Sequence, residues 1–118
     1  KTEASTVLEK EDTIAIYGSN EFAAKAIINA NGGFSESKLG ADKILAVGFD
    51  SGALQQDAIR KGIFVGSVTQ DPIQIGYQAV KLAVEAAQGK EVKDVDTGSK
   101  WYDAKNIDSD EIKALLYE

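Results

Sequence analysis

Three short polar segments each follow a short apolar run: Ser19-Asn20-Glu21, Phe49-Asp50-Ser51 and Thr69-Gln70-Asp71. In an open sheet of parallel strands, ligands bind outside the carboxyl ends of the strands, where such segments converge. Asn20, Asp50 and Gln70 are therefore the candidate ligand-binding residues. Their chemistry suits a neutral polyol. An Asp carboxylate accepts from two neighbouring hydroxyls, while Asn and Gln each bring one acceptor and two donors. The same residue types have an ordinary second use, because Asn, Asp and Ser are common helix N-caps and helices in such folds begin at that edge. Asn20 and Asp50 fit either role. Asp71, followed by Pro72, reads as a cap, and Gln70 is a poor one.

Other chemistries find little support. The dinucleotide fingerprint G-x-G-x-x-G and the phosphate loop G-x-x-x-x-G-K-[ST] are both absent from the chain. Ser19 lacks the G-x-S-x-G setting of an activated nucleophile, and the chain has no His to serve it. Glu21 and Asp50 could pair as carboxylates, but their spacing does not require it. Without His or Cys, the commonest zinc ligands and thiolate chemistry are excluded. The expectation is a binder with no catalytic residue, no metal and no cofactor.

These segments need a scaffold, and the apolar pattern supplies one. Thr13 to Tyr17, Ile44 to Val47 and Ile63 to Val68 read as buried strands, the third interrupted by Gly66. Between them lie helical stretches. One begins near Asn20, carries Phe22, Ala23, Ala26, Ile27 and Ala30, and stops at Gly32-Gly33. Another is capped by Ser51, carries Ala53, Leu54, Ala58 and Ile59, and stops at Gly62. A third is capped by Asp71 with Pro72 at its first position and Gln74 completing a capping box. Its stripe of Ile73, Tyr77, Val80, Val84 and Ala87 ends at Gly89, and Tyr77 reads as core. The first twelve residues read as the tail of a helix. Val92 to Thr97 is a candidate strand, Trp101-Tyr102 an extended or loop segment, and Asp108 with Glu111 a cap for a short last helix. A lone Trp such as Trp101 could stack on a sugar face, but in a small domain it more commonly packs. Strand–helix units without hairpin signals imply an α/β fold, a Rossmann-like or flavodoxin-like parallel sheet with helices on both faces.

The chain has 118 residues, room for one domain over residues 1–118, and 43% apolar with 27% charged residues mark it as globular. A formal charge of −6 opposes binding to nucleic acid, which needs a basic face to displace counterions. No apolar run approaches the roughly 20 residues of a membrane span, and no signal peptide is visible. A chain that starts at Lys1 and contains no Met is expected to be a piece of a longer polypeptide.

In register, Ser19-Asn20-Glu21, Val47-Gly48-Phe49-Asp50, Gly62, Val68-Thr69-Gln70-Asp71-Pro72, Gly76-Tyr77, Gly89, Asp96-Thr97-Gly98 and Ala104 to Asp108 resemble the C-terminal portion of type 1 periplasmic binding proteins. The likeness is to the ribose- and galactose-binding group and runs from about Thr13 onward. It implies part of the C-terminal lobe of a two-lobed solute-binding protein, with the N-terminal lobe and the first units of this lobe missing. It further implies a sugar or related polyol as ligand, an ATP-driven (ABC) permease as membrane partner, and a periplasmic or lipid-anchored extracellular parent. Asn20, Asp50 and Gln70 match the positions that hold sugar hydroxyls in that family. One departure is Asn20-Glu21, where the family usually carries Asn-Asp. Half a clamp is expected to bind sugar weakly and to be open to self-association. The effector domain of a LacI-type repressor shares the fold and many of the motifs, and is the alternative. It would need a basic helix-turn-helix upstream. An enzyme domain of flavodoxin-like or receiver type fits less well, since receiver chemistry needs an acidic cluster at the first strand.

Overall fold

A computed structural model describes residues 2–35 and 38–117. Nine elements follow in chain order: α1 (Thr2–Leu8), β1 (Ala15–Tyr17), α2 (Glu21–Ala30), β2 (Leu45–Phe49), α3 (Ala53–Arg60), β3 (Gly66–Gln70), α4 (Pro72–Ala87), β4 (Ser99–Tyr102) and α5 (Asp110–Lys113). The strands form one sheet in the order β1-β2-β3-β4. The first three run parallel, with Ala15 opposite Leu45 and Val47 opposite Gly66. β4 returns antiparallel along β3, pairing Ser67 with Tyr102 and Gln70 with Ser99. The α/β class expected from sequence stands, and the sheet is mostly rather than wholly parallel.

Right-handed crossovers put α2 and α3 on the same side of the sheet. There Ala24, Ile27 and Ile28 of α2 and Ala58 and Ile59 of α3 bury themselves with Ala46, Phe64 and Tyr102. Gly18 permits this close approach, since a Cβ on it would lie 2.7 Å from the Ala24 nitrogen. The helical cover expected on both faces is uneven. Tyr17, Leu45 and Trp101, which alternate with the buried strand positions, keep 57%, 40% and 44% of their surface accessible.

Several local expectations shift. Val92 to Thr97 forms no strand, and the strand is Ser99–Tyr102 instead. The Asp96 carboxylate accepts from Gly98 N–H at 2.8 Å, and Gly98 has φ +75°, so this segment is a turn leading into β4. Trp101 lies over Gly66, which explains a glycine within β3: any side chain there would strike the indole. Ser51 does not cap α3, whose N-cap is Gly52. Its hydroxyl turns inward to the Leu115 carbonyl at 3.3 Å. Ser109, not Asp108, caps α5, and Asp108 pairs with Arg60 at 3.2 Å.

α4 is the largest surprise. Its cap is as expected, with Asp71 Oδ1 accepting from Gln74 N–H at 2.9 Å and Pro72 in the first turn. Yet α4 buries none of its residues. Tyr77, expected in the core, is 62% exposed, and Ile73, Val80 and Val84 of the same stripe are open as well. Periodicity reports that a helix has an apolar face, but not whether the described chain covers it.

Candidate functional site

The carboxyl end of β2 is where the backbone is most constrained. Asp50 has φ +77°, the one positive value at a non-glycine among the described residues. A left-handed conformation costs an L-residue about 1 kcal/mol, so it persists only where its surroundings fix it. Here they do. Asp50 N–H donates to the Val68 carbonyl at 2.7 Å. The Asp50 carbonyl accepts from the Tyr102 hydroxyl at 2.8 Å and the Ser67 hydroxyl at 2.9 Å. Gln55 Nε2 adds a bond to the Phe49 carbonyl at 2.8 Å. Three elements, β3, α3 and β4, therefore aim one carboxylate.

That carboxylate meets the start of α2. Asp50 Oδ2 accepts from Glu21 N–H at 2.9 Å, a donor that the helix itself leaves unpaired. Asp50 and Gln70 line one open cleft of about 390 Å³, together with Pro72, Ile75, Gly76 and Tyr117. Sites for small molecules commonly span about 300–1,000 Å³. No lining residue is basic.

Asn20 is not in that lining. Its Oδ1 accepts from Ala23 N–H at 2.8 Å, so its carbonyl oxygen serves as the N-cap of α2. The cap leaves its Nδ2 amide donors, one residue from the Glu21 backbone that Asp50 holds. The structure thus brings Asp50 and Gln70 together and sets Asn20 beside them as a cap.

Sequence reasoning missed Tyr117 and the part played by Glu21. The Tyr117 hydroxyl donates to Glu21 Oε2 at 3.2 Å, and Glu21 also pairs with Lys25. The tail that carries Tyr117 is tied to the sheet. Gln56 Nε2 bonds both the Ser51 carbonyl at 2.7 Å and the Tyr117 carbonyl at 2.9 Å. Burial pushes the Tyr117 phenol up, and the Asp50 and Glu21 carboxylates push the same way. The Glu21 carboxyl is held below its ordinary value, chiefly by the bond to Lys25. The only signal in the sequence was the Glu at position 21, where the family pattern has Asp. Tyr117 follows the last helix, outside any periodic segment.

A second cleft, of about 370 Å³, lies between α1, α2 and β1 and is lined mainly by apolar groups, Val7, Ile16, Phe22 and Ile27 among them. Among the described residues, no three or more His, Cys, Asp or Glu are grouped to hold a metal. No described helix is long and apolar enough to cross a membrane.

A strained acidic turn at the end of a parallel strand thus stands beside the first turn of the preceding helix. The fold recurs in solved structures. A protein described as an ABC transporter, LacI family transcriptional regulator from Brachyspira murdochii is 41% identical with a TM-score of 0.82. A solute-binding protein of an ABC transporter from Agrobacterium vitis, with bound D-fucose, is 28% identical with a TM-score of 0.81. A carbohydrate transporter solute-binding protein from Agrobacterium radiobacter, in complex with D-arabinose, is 26% identical with a TM-score of 0.79. Each alignment covers 98% of this chain but 39% of the other, so the chain spans about two-fifths of those proteins. No curated protein sequence matches it. The family model for the periplasmic binding protein domain matches residues 1–91, and the chain belongs to that family.

Proposed function

We propose that this chain is part of the C-terminal lobe of a sugar-binding receptor that delivers its solute to an ABC permease. It is a binder and performs no bond chemistry. The observation that carries this reading is the cleft lined by Asp50 and Gln70 without a cationic residue. Asp50 Oδ2 is engaged by Glu21 N–H, which leaves Oδ1 for solute hydroxyls. A carboxylate accepting from neighbouring hydroxyls favours neutral polyols and repels anions. The sugars named with the Agrobacterium structures support the same ligand class.

In this reading the cleft is one wall of a clamp. The opposite wall comes from an N-terminal lobe on the same polypeptide. Such sites enclose most of their ligand, and closure supplies much of the affinity. Residues 1–118 alone then bind sugar weakly, and their open β1 edge favours self-association. The parent protein works outside the cytoplasmic membrane. Asn20 takes part through the amide donors its capping role leaves over.

The test is calorimetry on the natural full-length polypeptide with a panel of neutral pentoses and hexoses. Micromolar binding to one or more of them, lost in Asp50→Ala, is the expected result. Absence of binding across the panel overturns the reading. A second reading is the effector domain of a repressor, favoured by the description of the Brachyspira protein. Specific retention of operator-length duplex DNA by the full-length polypeptide would decide for it.

A further inference from the structure

Building on the sugar-binding reading, we propose that Tyr117 is a specificity-determining contact of the solute cleft and that Glu21 is the positioning residue that aims it. Tyr117 lines the same cleft as Asp50 and Gln70. It is fixed at both ends. Its hydroxyl reaches Glu21 Oε2 at 3.2 Å, and its carbonyl takes Gln56 Nε2 at 2.9 Å. The same Gln56 nitrogen bonds the Ser51 carbonyl, so the tail is spliced to the turn that carries Asp50. Glu21 closes the circuit, because its N–H donates to Asp50 Oδ2 at 2.9 Å. Gly52 leaves room for the Glu21 carboxylate in this position: a Cβ there would overlap it and push the flexible side chain aside. One residue thus orients both the acid and the phenol of the cleft.

The chemistry follows from where the protons lie. The Tyr117 proton is committed to Glu21 and the Ser51 backbone also bonds the hydroxyl, so any bond this oxygen makes to a solute is made as an acceptor. Asp50 Oδ1 is another acceptor, and the Tyr117 ring adds an apolar wall alongside Pro72 and Ile75. Two acceptors beside a flat apolar surface match a solute that offers hydroxyl donors and a C–H face. A sugar phosphate or sugar acid would meet the Asp50 carboxylate and no cation among the residues lining this wall. The recognised class is therefore the neutral monosaccharide, discriminated at the hydroxyl that faces Tyr117.

Glu21→Asp retracts the carboxylate by one methylene, about 1.5 Å, and parts it from the phenol. Glu21→Gln keeps an acceptor oxygen within reach. The experiment is calorimetry on the natural full-length polypeptide with neutral monosaccharides, their epimers and the corresponding phosphates and uronic acids. Loss of one hydrogen bond corresponds to about a fivefold weakening. Tyr117→Phe is expected to weaken the best neutral sugar about fivefold and to reduce its preference over the epimer. Tyr117→Ala should weaken it tenfold or more, to the order of 10-fold to 100-fold, by also removing the wall. Glu21→Asp should match Tyr117→Phe, and the double variant should be no weaker than either alone. Glu21→Gln should stay within about twofold to threefold of the unsubstituted protein, a rescue that general loss of packing would not give. Circular dichroism melts monitor folding, and Tyr117→Phe decides should the alanine variant melt early. Unchanged affinity and epimer preference in Tyr117→Phe and Tyr117→Ala would overturn this inference alone, provided Asp50→Ala still abolishes binding. No binding of any neutral sugar by the unsubstituted protein would overturn the sugar reading and this inference with it.

Discussion

Replacing Asp50 separates what its backbone costs from what its side chain does. At φ +77° an L-residue carries about 1 kcal/mol of strain, and glycine carries none. The carboxylate returns part of that by accepting from Glu21 N–H at 2.9 Å in a half-buried setting, a bond worth about 1 kcal/mol. In Asp50→Gly the lost bond and the relieved strain nearly cancel, so stability should change by less than about 1 kcal/mol. Asp50→Ala keeps the strain and loses the bond, and should fall about 1 kcal/mol below Asp50→Gly. Asp50→Asn retains both a tolerance for this conformation and an acceptor, and should remain close to the original. Urea unfolding followed by the fluorescence of Trp101, the one tryptophan, reads all three. Sugar affinity should drop in every variant, Asp50→Asn included, because the charge is lost. Equal stabilities for the alanine and glycine variants would refute the argument that the turn is held in strain for the sake of the carboxylate.

Burial pushes the Tyr102 phenol up from 10.0 to about 12. The folded state therefore holds this proton more tightly than the unfolded chain. The associated stability, up to about 2–3 kcal/mol, is complete below pH 10 and is lost as pH rises from 10 to 12. Urea midpoints across that window should fall less steeply in Tyr102→Phe, and an identical slope would count against the assignment. Gly18→Ala would place a Cβ 2.7 Å from the Ala24 nitrogen and 2.8 Å from its Cα, both backbone atoms that cannot step aside alone. A loss of about 1–3 kcal/mol in chemical denaturation is expected, and an unchanged midpoint would show that α2 shifts freely.

What was legible in the sequence was whatever local physics decides. Asn20 and Asp71 cap their helices because an oxygen on a short side chain reaches the third residue on. Gly33 and Gly62 end α2 and α3 with φ near +70°, a conformation that glycine adopts without a Cβ penalty. The strands were found but displaced toward their carboxyl ends. Ile63 and Phe64 are buried in the turn after α3 and not in β3, and apolar runs alone do not distinguish these. β4 was only half legible, its Trp101-Tyr102 end read as extended or loop and its pairing not foreseen. Its residues pair because Tyr102 reaches the Asp50 carbonyl and Trp101 covers Gly66, contacts that span more than thirty positions. Ser51 illustrates the limit of capping rules, since a buried hydroxyl that can reach Thr69 and the Leu115 carbonyl leaves the cap to Gly52. The candidate site divides along the same line. Strand-end position singled out Asp50 and Gln70, whereas Tyr117 arrives from the far end of the chain.

The unevenness of the packing bears on what the cleft can do. Residues on α1, α2 and α3 bury a continuous core, while α4 leaves Ile73, Tyr77, Val80 and Val84 open and supplies Ile75 and Gly76 to the cleft. A helix of 16 residues gains little from propensity alone, and most helices in proteins rest on the packing of an apolar face. The apolar stripe and the cleft residues Ile75 and Gly76 lie on the same helix, so a surface seated on the stripe would order the cleft wall as well. Affinity and the order of α4 should then rise together. In the natural full-length polypeptide, amide exchange across residues 73–87 should slow when sugar binds, while exchange in α2, already anchored by Ile27 and Ile28, should change little. Equal slowing in both helices would mean that the ligand tightens the lobe as a whole, and that α4 is no separate moving part.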